Sequence, residues 1–172
     1  MKTYNMKGEI PKANEGYFDK DGKKNGVFEK YDEKNRLIGR YTYKKDVLHG
    51  PFEEYYPNTN GVLAKEGCNE NGLLEGLCIE YSPSGVVIRE SEYTKGMLNG
   101  RQCEYSEITG LPIRVLYFKM DVLHGPYEKY CANGQVSWAG VYREGNLVVV
   151  VRDKVYLSAC RLQMQQRVHV RA

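Results

Sequence analysis

The chain has 172 residues, 41% of them hydrophobic and 27% charged, the size and mixture of one folded domain rather than a disordered tail. Twenty-five Lys and Arg against 22 Asp and Glu leave a formal charge of +3, too small and too mixed for nucleic-acid binding. The surplus sits at the end: residues 151–172 carry Arg152, Lys154, Arg161, Arg167 and Arg171 against Asp153 alone, a basic tail that leaves room for an acidic partner or an anionic surface.

In chain order, residues 1–16 form an N-terminal segment with Lys2 and Lys7 but no apolar stretch behind them, so no secretory leader is legible. Export stays open if a leader has been removed. Residues 17–150 form a repeat array. Its glycines, Gly26, Gly50, Gly76, Gly100 and Gly125, are each followed five residues later by a tyrosine, Tyr31, Tyr55, Tyr81, Tyr105 and Tyr130. Leu48, Leu74, Leu98 and Leu123 stand two before their glycines, and Gly22, Asp46, Gly72, Gly96 and Asp121 stand four before. A fixed period of 24 to 26 residues marks a stacked repeat.

Within each unit a run such as Val27–Tyr31 is followed by a turn signal and a second run such as Leu37–Tyr43, both rich in aromatic and β-branched residues. The turn signals are Lys34-Asn35, Asn60-Gly61, Ser84-Gly85, Thr109-Gly110 and Asn133-Gly134. Each unit is therefore expected to be a β-hairpin, its Asn-Gly closing a primed turn and its repeat glycine taking a positive φ or a close backbone approach. Strict alternation would set Phe28, Phe52, Cys78, Gln102 and Tyr127 on the face opposite the repeat tyrosines. Either a bulge restores one face or both faces carry aromatics.

The best units, Leu48-His49-Gly50-Pro51-Phe52-Glu53-Glu54-Tyr55-Tyr56 and Tyr93-Thr94-Lys95-Gly96-Met97-Leu98-Asn99-Gly100, resemble the variant MORN (membrane occupation and recognition nexus) repeat over about residues 17 to 147. The resemblance implies an all-β fold, an elongated, twisted antiparallel sheet of successive hairpins. It also implies a non-enzymatic, protein-binding role like that of bacterial antitoxin-like or toxin-immunity proteins. The pattern stops where Val149 replaces the glycine due there. Val148–Val151 is expected to form a last strand, and Leu157, Cys160, Met164 and Val168 behind Ser158 suit a short capping helix.

Five widely spaced cysteines without a C-x-x-C pair read as free thiols of a reducing, cytoplasmic compartment. No metal or cofactor motif is visible. His49 and His124 occupy one register three units apart, roughly 30 Å in a linear array, too far to share a metal or a proton. The repeat tyrosines are expected to be the packing ladder that supplies most of the core. Tyr43, Tyr56, Tyr117 and Trp138 fall outside that register and are the candidate interface, with Arg161, Arg167 and Arg171 for a membrane surface. The leading expectation is a protein partner, a toxin, held on a sheet face. An anionic-lipid adaptor and a carbohydrate-binding surface with Tyr56 and Trp138 as stacking residues are the alternatives. Because one face of a single sheet must be covered or wet, self-association through a face or edge is also expected.

Overall fold

A computed structural model describes residues 16–150. The N-terminal segment before Gly16, the proposed C-terminal cap and the tail from 151 onward lie outside the described residues. Fourteen strands follow one another: β1 (Tyr17–Phe18), β2 (Lys24–Tyr31), β3 (Leu37–Lys44), β4 (Val47–Tyr55), β5 (Leu63–Glu70), β6 (Leu73–Leu74), β7 (Gly76–Tyr81), β8 (Val87–Thr94), β9 (Met97–Tyr105), β10 (Pro112–Lys119), β11 (Val122–Leu123), β12 (Gly125–Tyr130), β13 (Val136–Arg143) and β14 (Asn146–Val150). They form one antiparallel sheet of successive hairpins in sequence order, open rather than closed into a barrel, with β6 and β11 as short branches on β5 and β10. The described residues contain no helix, hence none long and apolar enough to cross a membrane. Their contacts resolve into two compact units, one running to Val87 and taking in Tyr93–Gly96, the other made of Ile88–Glu92 and the chain from Met97.

Two kinds of turn alternate. The loops inside each hairpin differ from the expected primed turn. Asn35, Gly85 and Gly134 alone have φ > 0 in their loops, and Gly85 N donates to Ser82 O as Ser82 N donates to Val86 O. That is the three-residue loop in which a type I turn ends in one left-handed residue. The primed geometry occurs between hairpins instead. Lys45-Asp46, Asn71-Gly72, Lys95-Gly96, Met120-Asp121 and Glu144-Gly145 place two consecutive residues at φ between 50 and 84°, as a two-residue type I′ turn requires. The Gly or Asp four before each of Gly50, Gly76, Gly100 and Gly125 is thus the second residue of that turn.

All five repeat glycines take the expected positive φ, from 77° at Gly76 and 85° at Gly26 to 134° at Gly100. Gly26 lies within β2 and faces Tyr43 of β3. The strand leaving a primed turn bends at this position. Gly50 and Gly125 sit at φ 120 and 123°, and pairing with the preceding strand is interrupted there: β11 stops at Leu123 and β12 begins at Gly125. A second irregularity lies opposite the repeat tyrosines. Lys30 pairs with Gly39 but Tyr31 with Leu37, leaving Ile38 as an extra residue; Ala64, Ile113 and Ser137 are extra in the same way. These bulges fall on the partner strand, so the tyrosine strand keeps its alternation and both faces of the sheet carry aromatics.

The buried position in the repeat differs between units. In the first unit it is the second residue after the glycine, Phe28, Phe52 and Cys78, each at most 6% exposed. Glycines opposite or beside the rings let them lie flat, since a Cβ on Gly67 would stand 2.9 Å from Phe52. In the second unit the third residue is buried, Cys103 at 0% and Glu128 at 1%, with Val115 and Ala139 beside them and Leu116 on the opposite face. The core is therefore not the tyrosine ladder. Tyr31 is 45% exposed, and the repeat tyrosines act through their hydroxyls instead. Among the described cysteines Cys68 and Cys131 are exposed, Cys78 and Cys103 buried, and all four are free thiols.

Candidate functional site

Every repeat tyrosine donates its hydroxyl to a carboxylate. Tyr31, Tyr55 and Tyr130 use the glutamate two residues earlier on their own strand, Glu29, Glu53 and Glu128. In the third and fourth repeats that position holds Ile79 and Cys103, and the carboxylate comes from an earlier strand: Tyr81 to Glu66 at 2.6 Å and Tyr105 to Glu90 at 2.7 Å. Both are 15 residues back. Such charge-assisted bonds are the short, strong class.

The electrostatics follow. The Glu29 carboxylate beside Tyr31 raises that phenol above its ordinary value, while burial, then Glu53, raises Tyr55. Burial raises Tyr105, reinforced by the Cys103 thiol and by Glu90, and burial raises Tyr130 as well. On the other face Tyr41, donating to Glu54 at 3.0 Å, is pushed up to about 12, mainly by burial. Arg40 lies between Glu29 (3.1 Å) and Glu53 (3.4 Å). These raised phenols keep their protons at neutral pH, and Arg40, Tyr81 and Tyr105 join neighbouring strands.

The turns are tied to one another by a second ladder. The backbone carbonyls of Lys24, Leu48, Leu74, Leu98 and Leu123 accept from the second N–H of the next primed turn, Asp46, Gly72, Gly96, Asp121 and Gly145, at 2.8 to 3.0 Å. The first N–H goes to the side chain preceding the repeat glycine: Lys45 to Asn25, before Gly26 (3.0 Å), Asn71 to His49 Nδ1 (3.4 Å), Lys95 to Glu75 (2.8 Å) and Glu144 to His124 Nδ1 (3.5 Å). His49 and His124 are therefore turn acceptors, each serving its own neighbour. Asp46 and Asp121 also accept from Lys24 N and Leu98 N, both at 2.8 Å.

The candidate interface residues separate. In the first unit, Tyr43 packs edge-on to Phe28 at 5.6 Å with the Lys24 ammonium 5.0 Å from its ring. Tyr56 donates to the backbone carbonyl of Tyr81 at 2.6 Å, which commits its hydroxyl to joining successive hairpin ends. In the second unit, Tyr117 lies opposite Arg101, on the face of Cys103, Tyr105 and Tyr130. Trp138 lies opposite Lys129, on the other face. There it meets Tyr127 edge-on at 5.2 Å and 81°, and Tyr127 in turn meets Tyr142 at 5.7 Å.

Tyr127, Trp138 and Tyr142 are all half-exposed. Arg114 borders them, held by Glu104 with Tyr127 beside it. Gly140 makes the patch fit, because a Cβ there would come within 2.6 Å of the Trp138 ring and 2.9 Å of Val149 O. Tyr127 and Tyr142 were not among the sequence candidates. The signal for them was the pairing of Tyr127 with Gly140 and of Gly125 with Tyr142, which needs the strand register. Arg161, Arg167 and Arg171 lie outside the described residues. Among the described residues no group of three or more His, Cys, Asp or Glu could hold a metal ion. No protein-family model matches the chain, and no curated protein is significantly similar to it.

Proposed function

We propose that the chain is a non-enzymatic binding protein whose repeat array presents a sheet face to a protein partner, with neutralisation of a toxin as the outcome. The observation that carries this reading is the Tyr127–Trp138–Tyr142 patch. Three aromatic rings, Tyr127 in contact with both Trp138 and Tyr142, stand half-exposed on the face opposite the Cys103–Val115–Glu128 core. Rigid aromatic side chains lose little entropy on docking, and with a bordering arginine they have the composition of binding hot spots. The resemblance to variant MORN arrays supplies the antitoxin direction.

The test is affinity purification of the tagged full chain from its own host, beside a Trp138→Ala/Tyr142→Ala variant. The reading expects one stoichiometric protein, retained by the parent and lost from the variant, that arrests growth when expressed alone and not when co-expressed. Equal recovery by both forms, or no protein partner, refutes it.

A further inference from the structure

The aromatic face of the second unit is polarised in charge as well as in shape. Glu104, Arg114, Lys129 and Trp138 stand directly opposite one another across β9, β10, β12 and β13. Glu104 is the one carboxylate that strand alternation places on this face among the described residues of the unit, against three cations, Arg89, Arg114 and Lys129. It is shared between Arg114 and Arg89, the latter at 3.7 Å. Its side chain is 16% exposed and that of Arg114 42%, so the cations stand out above it. Lys129 is exposed beside Trp138 and takes part in none of the ion pairs among the described residues. The other face of the unit is balanced, since alternation gives it Glu90, Glu92 and Glu128 against Arg101, Lys119 and Arg143.

Arg114 faces Lys129 in register. Like charges directly opposite one another destabilise a sheet, and an anionic group seated over the pair relieves that repulsion. We propose that the partner of the Tyr127–Trp138–Tyr142 patch presents an acidic segment, with carboxylates over Arg114 and Lys129 and an adjacent apolar side chain on Trp138. This rests on the reading of the patch as a protein-binding face and adds the chemistry of what binds there. Lys129 lies one strand, ~4.8 Å, from both Arg114 and Trp138, so neighbouring residues of one segment reach all three. A nucleic-acid strand suits the face less well, because its phosphates need a track of cations and the surplus here is confined to one face of one unit.

The experiment selects a random peptide library on the immobilised full chain and measures the winning peptides, fluorescently labelled, by anisotropy. The winners are expected to carry Asp or Glu next to an aliphatic or aromatic residue and to lose their binding to Trp138→Ala/Tyr142→Ala. Lys129→Gln should weaken them about threefold to fivefold and Lys129→Glu about tenfold or more, with affinity falling as salt rises. Lys119→Gln, exposed on the balanced face, should leave them unchanged, and circular dichroism checks that every variant keeps the strand content of the parent. Winners that need Trp138 and Tyr142 but are neutral or basic, or are indifferent to Lys129→Glu, overturn the acidic segment and leave the patch as a protein-binding face. Winners indifferent to Trp138→Ala/Tyr142→Ala, or none at all, overturn the proposal together with the reading it rests on. A labelled single-stranded oligonucleotide that binds this face more tightly than the peptides, or self-association of the full chain that Lys129→Glu abolishes, overturns it in favour of a nucleic acid or of a second copy.

Discussion

The hydroxyl of Tyr81 donates at 2.6 Å to Glu66 on β5, a glutamate that directly faces Ile79 in the register of β5 and β7. In the repeats of Tyr31, Tyr55 and Tyr130 the residue equivalent to Ile79 is itself the glutamate. The acceptor has thus changed strand while the tyrosine has stayed in place. Tyr81→Phe is expected to destabilise the fold by about 1 to 2 kcal/mol, since it strands a charged acceptor. A compensating pair, Ile79→Glu with Glu66→Ile, should recover most of the stability lost by Glu66→Ile alone. Urea midpoints of the single and paired variants measure the coupling, and strict additivity would show that the hydroxyl has no fixed carboxylate requirement.

Alkaline pH should unfold the protein through these phenols. Tyr41 is raised to about 12 and Tyr31, Tyr55, Tyr105 and Tyr130 are raised as well, while unfolded tyrosines titrate near ~10. Between those values the unfolded chain has released protons that the folded chain still holds, so unfolding free energy falls as pH rises. The contribution is complete below about pH 10 and is lost on the way to pH 12. Absorbance at the phenolate band should rise in two stages, the second coinciding with loss of strand signal. A single stage, with the melting temperature unchanged from neutral pH to pH 11, would contradict this.

The two turn histidines make a cleaner case. His124 Nδ1 accepts from Glu144 N at 3.5 Å, where the first repeat uses the Asn25 amide toward Lys45 N at 3.0 Å. His124→Asn should therefore be nearly neutral, and His124→Ala should cost about 0.5 to 1.5 kcal/mol by leaving a turn N–H with water alone. Thermal melts at neutral pH decide it; equal losses for Ala and Asn would mean that packing of the imidazole, not its acceptor, matters.

The hairpin array was legible because its signals are local: a glycine that must bend the strand, as Gly50 does, and an apolar alternation around it. Turn type was misplaced for a physical reason. The Asn-Gly pairs point to the inner loops, where Gly134 alone, or Asn58 and Gly61 apart from one another, take the left-handed conformation. The primed turns lie at Lys45-Asp46 and Met120-Asp121, whose Lys and Met do not advertise a positive φ. Which of two adjacent positions is buried, Phe52 or Cys103, depends on how each face is covered by neighbouring strands, and a one-dimensional pattern does not carry that. The Tyr127–Trp138–Tyr142 patch was half visible. Trp138 stands out by rarity, but its neighbours join it through pairing across Gly140.

That change of buried position can be tested at equivalent sites. Phe52, 6% exposed, fills the first unit's core, so Phe52→Ala should cost about 3 to 5 kcal/mol. Gln102 occupies the same repeat position in the second unit, half-buried with one bond to Ser91 at 2.9 Å, and Gln102→Ala should cost under about 1 kcal/mol. Chemical denaturation of both variants gives the comparison, and similar losses would show that the two units bury the same position.

Trp138 is the one tryptophan in the chain, so intrinsic fluorescence excited at its red edge reports the proposed binding face alone. It lies edge-on to Tyr127 at 5.2 Å and is half-exposed, so the free protein should emit at an intermediate wavelength and be quenched by acrylamide. A partner docking on this face removes water from the ring, which should shift emission to the blue and cut the quenching constant severalfold. Tyr142→Ala should weaken the binding that produces this shift, whereas Tyr56→Phe, altered at a hydroxyl bonded to the Tyr81 carbonyl, should leave it intact. A captured partner that leaves both the emission and the quenching of Trp138 unchanged binds elsewhere, and the face of Tyr127, Trp138 and Tyr142 is then not its site.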